Sequence, residues 1–249
     1  MIRETIRAIC LSLLFLLGAC TLQPKPVPAP QVQYAGATTT ADSSFYPGAF
    51  DRIVVYGPLQ MVITNDSSVK MYRVQSAHSL PLSTMATFYV SNRALYIHAV
   101  NPPKQFTPYT MVNCLNIAVP QLNGIAAHNG GKIFIDNLNT PHFIVKADGQ
   151  GFIELNGHAT RLDATLLDKT RLDARHLNVR TLFVNTSGMA QADVRNIDGL
   201  SVLSTDKSDV YFYTDPAGTA DYERQNGSTI RMQGIVPPIV DPEDDRNIK

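Results

Sequence analysis

Six turn-forming residue pairs recur at almost constant spacing along the C-terminal half of this 249-residue chain. Successive pairs start 19 or 20 residues apart, at Asn129-Gly130, Asp148-Gly149, Asp168-Lys169, Ser187-Gly188, Asp206-Lys207 and Asn226-Gly227. Asn, Asp and Ser side chains bond to the local backbone and Gly accepts positive φ, so each pair is typical of a turn. This period restricts the fold more than any other feature, because it is typical of repeat architectures.

A short β-rich segment follows most of these pairs, at residues 132–136, 151–155, 170–174, 209–213 and 228–232. Asn-Gly and Asp-Gly are also hairpin signals, so an antiparallel meander or sandwich is the alternative arrangement. The same kind of segment after each turn favours coils of a solenoid, whose equivalent positions stack about 4.8 Å apart. We therefore expect an all-β fold with a parallel, β-helix-like β-solenoid of about six coils of 19–20 residues.

The residues expected to point into the core occupy the third position beyond each turn pair. They are Ile133, Phe152, Leu172, Gln191, Val210 and Ile230. Gln191 breaks this apolar column, which indicates a shift of one residue in its coil, where Ala192 is the apolar alternative. In the second coil, Ile153 alternates with polar residues as well as Phe152 does. The inward face is therefore left open at 150–155 and 189–194.

The N-terminal half of the domain is also typical of strands. The segments that alternate or run apolar are residues 51–57, 59–64, 69–75, 86–100 and 114–120. Ser91-Asn92-Arg93 is expected to turn a hairpin inside the fourth segment. No segment after the first twenty residues has a convincing helical period.

The first twenty residues are typical of an export signal. Arg3 and Arg7 precede an apolar run that is about half as long as the roughly 20 residues needed to span a membrane. The run ends in Leu17-Gly18-Ala19-Cys20, which resembles the lipobox of bacterial lipoproteins. The resemblance implies cleavage after Ala19 and lipid on Cys20, with the membrane as a partner. An ordinary signal with a chance cysteine is the alternative.

Alternating prolines after the cysteine favour an extended tether. We expect the signal at 1–19, the lipidated cysteine and tether at 20–47, the solenoid domain at 48–233 and a disordered tail at 234–249. Thr21, not Asp, follows the cysteine. By resemblance to Gram-negative lipoproteins, this residue favours the outer membrane, with both the periplasmic and the surface face left open.

Composition excludes several classes of partner and site. Positive and negative side chains balance at 21 each, so no basic excess favours nucleic acid and no acidic excess favours a cation store. Lipid on Cys20 would leave Cys114 as the single remaining thiol, without an internal disulfide. Cys114 lies in an apolar run and is expected to be a small core residue and not a reactive thiol.

Sequence motifs of enzymes and metal sites are absent. None of the six histidines stands at ligand spacing to another His or to a Cys, and neither a phosphate-binding loop nor a Gly-x-Ser-x-Gly elbow occurs. Asp163 and Asp173 lie half a coil apart, so we expect them on different sides of the solenoid. We expect no catalytic residue, metal or cofactor. The alternative is an envelope polysaccharide lyase or hydrolase on a β-helix scaffold.

Two tyrosines form a candidate binding surface. If Val210 and Phe212 point inward, Tyr211 and Tyr213 point outward about 7 Å apart. There they can stack on sugar rings or contact a partner protein. The alternative is that tyrosine simply suits a strand.

The segments FDRIVVYGPLQMVI (50–63), ALYIHA (94–99) and LNIAVPQLNGIAAHNGGKIFI (115–135) together resemble the putative auto-transporter adhesin, head GIN domain family. With the later turn–strand units, the resemblance covers about 49–233. Asp168-Lys169 and Asp206-Lys207 depart from the Gly-bearing turns usual in the family, so these turns are expected to differ in shape. The resemblance implies an exported β-solenoid and supplies no catalytic residues.

The expected function is that of a non-enzymatic outer-membrane lipoprotein. Its solenoid surface would serve adhesion, envelope scaffolding or the binding of a protein or glycan partner.

Overall fold

The computed structural model describes residues 44–45, 47–66, 73–76, 82–100, 114–196, 198–214 and 219–233. All of these residues belong to one compact unit. Ala19, Cys20, most of the tether and the tail at 234–249 lie outside the described residues, so the expectations for them stay predictions.

The described residues form strands and one helical turn, which confirms the all-β prediction. The elements are β1 (Ser44–Phe45), β2 (Arg52–Tyr56), β3 (Gln60–Asn65), β4 (Arg73–Ser76), α1 (Leu82–Met85), β5 (Ala86–Ser91), β6 (Ala94–Ala99), β7 (Cys114–Val119), β8 (Gly124–His128), β9 (Lys132–Asp148), β10 (Gln150–Leu166), β11 (Lys169–Thr186), β12 (Gln191–Asn196), β13 (Gly199–Ser204), β14 (Asp209–Thr214), β15 (Thr219–Arg224) and β16 (Thr229–Met232).

Parallel pairing between successive coils confirms the solenoid and excludes a meander. Each coil contributes one strand after its turn, and these strands form stack 1: β7, β3, the first parts of β9, β10 and β11, then β12, β14 and β16. The strands before the turns form stack 2: β6, β2, β8, the last parts of β9, β10 and β11, then β13 and β15. The six turn pairs enclose five complete turns of the solenoid.

The first coil in the sequence is inserted between two later coils. β2 pairs with β6 on one edge and with β8 on the other. In the same way, β3 lies between β7 and β9. The N-terminal segments are therefore full coils of the same solenoid, although the 19–20 residue period is absent from them.

Antiparallel strands cover the end of the solenoid formed by β6 and β7. β4 pairs antiparallel with β7, and β5 pairs antiparallel with β6. Asn92 and Arg93 adopt φ values of 49° and 60° between β5 and β6, which confirms the predicted hairpin. Leu82 and Met85 of α1 are buried against the core, so this end of the solenoid is capped.

The inward column of stack 1 occupies the third position beyond the turn pair in four of the six coils. It consists of Ile133, Ile153, Leu172, Ala192, Val210 and Ile230, which pair in successive coils. In the two coils whose inward face was left open, Ile153 and Ala192 point inward instead of Phe152 and Gln191, because one more residue separates the turn pair from the first inward position there. Phe152 is half-buried and contacts Phe134 edge-on, with ring centroids 6.0 Å apart.

The two Lys-bearing turns differ in shape from the Gly-bearing ones, as expected. In Asp168-Lys169 and Asp206-Lys207 the aspartate itself takes positive φ, at 61° and 60°. In Asp148-Gly149 and Ser187-Gly188 the glycine takes it, at 78° and 75°. The left-handed position therefore moves to Asp, which tolerates it better than Lys does.

These aspartates also cap the turn of the preceding coil. The Asp168 carboxylate accepts a hydrogen bond from the Gly149 N–H at 3.0 Å. The Asp206 carboxylate accepts from the Ser187 hydroxyl at 2.6 Å and from the Gly188 N–H at 3.2 Å, and these bonds lower the pKa of Asp206. Turn capping therefore accounts for both carboxylates.

Candidate binding surface

Tyr211 and Tyr213 lie where the sequence placed them, on the outer face of stack 1. Val210 and Phe212 alternate with them and are buried in the core. Both tyrosines are half-buried because neighbouring strands flank them. Tyr211 lies between Asp193 and Arg231, and Tyr213 pairs with Arg195. Whether this surface binds a partner stays a prediction.

An ion-pair network occupies the coils next to these tyrosines. Arg175 binds the Asp173 carboxylate with its Nε at 3.0 Å and an Nη at 2.5 Å. Asp193, in the adjacent coil, accepts hydrogen bonds from Arg171 at 3.3 Å and from the Gln191 amide at 2.9 Å. Both carboxylates are only 6% exposed. The network therefore presents arginine groups outward and buries most of its acidic surface.

The two stacked carboxylates have opposite pKa shifts. Burial acts to raise the pKa of Asp173, but the hydrogen bonds and charge of Arg175 outweigh it and lower that pKa. Burial raises the pKa of Asp193, the charge of Arg171 opposes this, and the charge of Asp173 adds to it. Ionisation of Asp173 therefore stabilises the folded state, whereas ionisation of Asp193 destabilises it.

Amide replacements of these carboxylates are expected to change stability in opposite directions. Asp173→Asn should lower the free energy of unfolding at pH 7 by about 1–3 kcal/mol, since it breaks a largely buried ion pair. Asp193→Asn should raise it by up to about 1 kcal/mol, because it removes the cost of a buried charge. Urea unfolding measures both.

The pH dependence supplies the control for this pair of variants. Asp173 stabilises the fold above its unfolded pKa of about 3.9, and that contribution is lost as the pH falls through its lower folded pKa. The protonated Asp193 side chain makes its full contribution to stability below about pH 3.9. That contribution is lost as the pH rises through the higher pKa of Asp193 in the folded state. Equal losses of stability in both variants at pH 7 would contradict the opposed shifts.

Asp163 lies on stack 2, away from Asp173 on stack 1, as the half-coil spacing predicted. It accepts hydrogen bonds from Arg161 Nε at 2.8 Å and binds His142 Nε2 at 2.8 Å. The Arg161 guanidinium lies 4.3 Å from the centre of the Phe183 ring. These contacts account for Asp163 as part of a surface network.

A row of stacked aromatic side chains, which we name the aromatic ladder, crosses the outer face of stack 2 near the capped end. It consists of Tyr56, Tyr89, Tyr96, His98 and His128. The Tyr56 ring lies between those of His98 and His128, with centroids 4.5 and 4.8 Å away and planes within 20°. Tyr89 stacks on Tyr96 at 4.7 Å and on His98 at 5.8 Å. Parallel pairing of β6, β2 and β8 brings the rings of His98, Tyr56 and His128 together.

The ladder presents ring edges to solvent. Each ring face within it is covered by the next ring, whereas the edges carry tyrosine hydroxyls and imidazole nitrogens. Tyr56 is 36% exposed, and His128 Nδ1 lies 2.7 Å from an Asp148 oxygen. Burial lowers the pKa of His98, and burial with the nearby Tyr96 raises that of Tyr89. The ladder thus combines apolar area with a row of hydrogen-bonding groups, the composition of many binding surfaces.

The sequence contains a signal for the aromatic ladder that the turn spacing does not reveal. Tyr56 and His128 are the last residues of β2 and β8, and His98 is the next-to-last residue of β6. They come from three coils that are adjacent in space and 30 or more residues apart in sequence.

Cys114 is half-buried on the outer side of β7 and forms no disulfide within the described part of the chain. The expectation of a core position was therefore wrong, because the inward residues of β7 are Leu115, Ile117 and Val119. Burial raises the pKa of its thiol, which fits an unreactive side chain.

Over the described ranges, His, Cys, Asp and Glu side chains form no group of three or more that could hold a metal ion. The same residues include no helix with the length and apolar character needed to cross a membrane.

Comparison with known proteins gives one family. The family model described as putative auto-transporter adhesin, head GIN domain, matches residues 49–216. No curated protein matches the chain. A solved putative adhesin from Bacteroides fragilis is 14% identical, with a TM-score of 0.56 over 76% of this chain and 95% of that one. This likeness shows the fold alone.

Two further solved structures are more distant. A putative adhesin from Parabacteroides merdae is 12% identical, with a TM-score of 0.41 over 76% of this chain and 94% of that one. A putative lipid binding protein from Parabacteroides distasonis is 11% identical, with a TM-score of 0.39 over 78% of this chain and 95% of that one.

Proposed function

The chain belongs to the putative auto-transporter adhesin, head GIN domain family, and from this premise we propose that it is a non-enzymatic, adhesion-like protein of the bacterial envelope. It binds a protein or glycan partner through the outer surface of its solenoid. If the partner is another component of the envelope, the same binding role amounts to scaffolding within the envelope.

The proposal includes an anchor at the outer membrane. Cleavage after Ala19 frees Cys20 for lipid, and residues 21–47 tether the solenoid domain. Support comes from the lipobox-like sequence and the alternating prolines that follow it.

The aromatic ladder is the observation that carries the binding role. Outer positions of a solenoid need only be soluble, and charged or small polar residues serve that purpose at many of them. Five aromatic rings stacked across adjacent strands present their edges, with hydroxyl and imidazole groups, on a surface where folding alone requires no aromatic residue. Tyrosine is also among the residues enriched at the few central positions that dominate the binding energy of protein interfaces.

A polysaccharide-active enzyme would need accessible carboxylates on one outer face. Asp173 and Asp193 do stack in adjacent coils, but both are 6% exposed and bound by arginine or amide donors. Their outer surface is of mixed charge. This arrangement favours binding over hydrolysis or lyase chemistry.

The ladder is tested by a double substitution that keeps good strand residues. Tyr56→Thr with Tyr96→Thr should reduce retention of chain-bearing cells on a mucin-coated surface at least about 10-fold, toward the level of cells lacking the chain. Mucin offers both protein and glycan groups, so it probes both partner classes.

Two control variants accompany this test. Thr165→Ala with Asn185→Ala, on the outer face of stack 2 in later coils, should leave retention unchanged. Tyr211→Thr with Tyr213→Thr reports on the other predicted surface. If cells with and without the chain adhere equally to mucin and to isolated cell envelopes, the binding role is wrong.

A further inference from the structure

The last coil of the solenoid leaves its core residues exposed. Tyr222 and Met232 occupy inward positions, paired with the buried Val202 and Phe212 of the preceding coil. They are nevertheless 57% and 67% exposed. In the described part of the chain, β15 and β16 pair only with β13 and β14, so each leaves one strand edge open. We call this surface the open end.

The open end contrasts with the opposite end of the solenoid. There, β4, β5 and α1 cover the core, and Leu95 and Leu115 of the terminal coil are fully buried. Solenoids need such caps, because an unpaired parallel edge with apolar neighbours is a template for pairing with another chain. The capped end carries the first described residues and the open end carries the last.

Charge on the open end is arranged in a complementary way. The outward residues of β15 include Asp221 and Glu223, whereas β16 carries Arg231 outward. Glu223 accepts a hydrogen bond from Gln225 at 2.6 Å, which leaves its charge in place. If β16 met β16 of a second copy, Arg231 would face a like charge. If β16 met β15, Arg231 would face Asp221 and Glu223.

We propose that the open end is a self-association surface, on which two copies of the chain pair end to end. A two-fold axis along the strands places β16 of each copy beside β15 of the other, in antiparallel orientation, because the chain reverses at Asn226-Gly227 between them. Tyr222 and Met232 of both copies are then buried at the junction. The inference does not depend on the proposed function.

A charge-swap experiment tests this pairing. The whole chain is used with Cys20→Ser, so that no lipid at that position can join copies, and its mass is measured by sedimentation equilibrium. The chain should be a dimer. Arg231→Glu should weaken dimerisation at least about 10-fold, and so should Asp221→Arg with Glu223→Arg, because each places like charges together. Arg195→Glu, on the same stack two coils earlier, is the matched control and should leave the dimer unchanged.

Mixing provides the decisive result. Each charge-swapped chain repels itself, but the two chains together restore both contacts, so an equimolar mixture should form a heterodimer. Circular dichroism of each variant checks that the fold is kept. A chain that is monomeric at all concentrations, as expected if residues 234–249 cover the open end, would overturn the proposal. A dimer whose dissociation constant is unchanged by the charge-swap substitutions would also overturn it.

Discussion

Replacing Gly157 by alanine is expected to lower the free energy of unfolding by about 3–5 kcal/mol. Gly157 has a φ of +128°, a conformation that residues with a side chain rarely adopt. A Cβ at this position would lie 2.5 Å from the Leu138 nitrogen and closer still to its carbonyl oxygen. Since both obstacles belong to the backbone of the adjacent coil, no rotamer change can relieve the overlap.

Gly227→Ala is the matched control for this prediction. Gly227 also has positive φ, at +84°, but the nearest atom to its Cβ would be the Asp206 carbonyl oxygen at 3.9 Å. Its replacement should cost only about 1 kcal/mol of backbone strain. Urea unfolding of both variants measures the difference, and equal losses would show that Gly157 is not in close contact with the neighbouring coil.

Phe143→Ala is the second variant with a large expected effect, a loss of about 3–5 kcal/mol. Phe143 is fully buried and pairs with Leu162 of the next coil, which pairs in turn with Leu182. Truncation leaves a cavity inside this column, and the stacked coils above and below limit how far it can collapse.

The same substitution on the outer face provides its control. Phe183 follows the inward Leu182 and is 38% exposed, with Arg161 over its ring. Phe183→Ala should therefore cost about 1 kcal/mol or less, from lost surface packing and the cation–π contact. A loss at Phe183 as large as that at Phe143 would contradict the assignment of inward and outward faces.

The turns carried most of the predictive power of the sequence. Turn residues depend on local backbone chemistry, so their spacing revealed the coils directly. The inward column was predicted less well, because one additional residue separates Asp148-Gly149 and Ser187-Gly188 from the first inward position of the column Ile133, Ile153, Leu172 and Ala192. A single-residue difference reverses the faces of a strand, and apolar residues at Phe152 and Ile153 hid it.

The inserted coil and the ladder could not be predicted in the same way. β2 and β3 come first in sequence but lie between later coils, and long connections interrupt the period there. The sequence of a strand does not by itself determine which strands of other coils it pairs with. The ladder depends on that order, because only the pairing of β2 with β6 brings Tyr56 and His98 together.

The central proposal is that this solenoid acts as an adhesion-like domain anchored at the outer membrane, and adhesion to another cell or surface requires the solenoid on the outer side of that membrane. Protease digestion of the tagged chain on intact cells tests it most directly, with lysed cells as the control for cleavage and Cys20→Ser as the control for anchoring. The account predicts digestion of the wild-type chain on intact cells and loss of the Cys20→Ser chain from the outer-membrane fraction. Protection of the wild-type chain until the cells are lysed would contradict it.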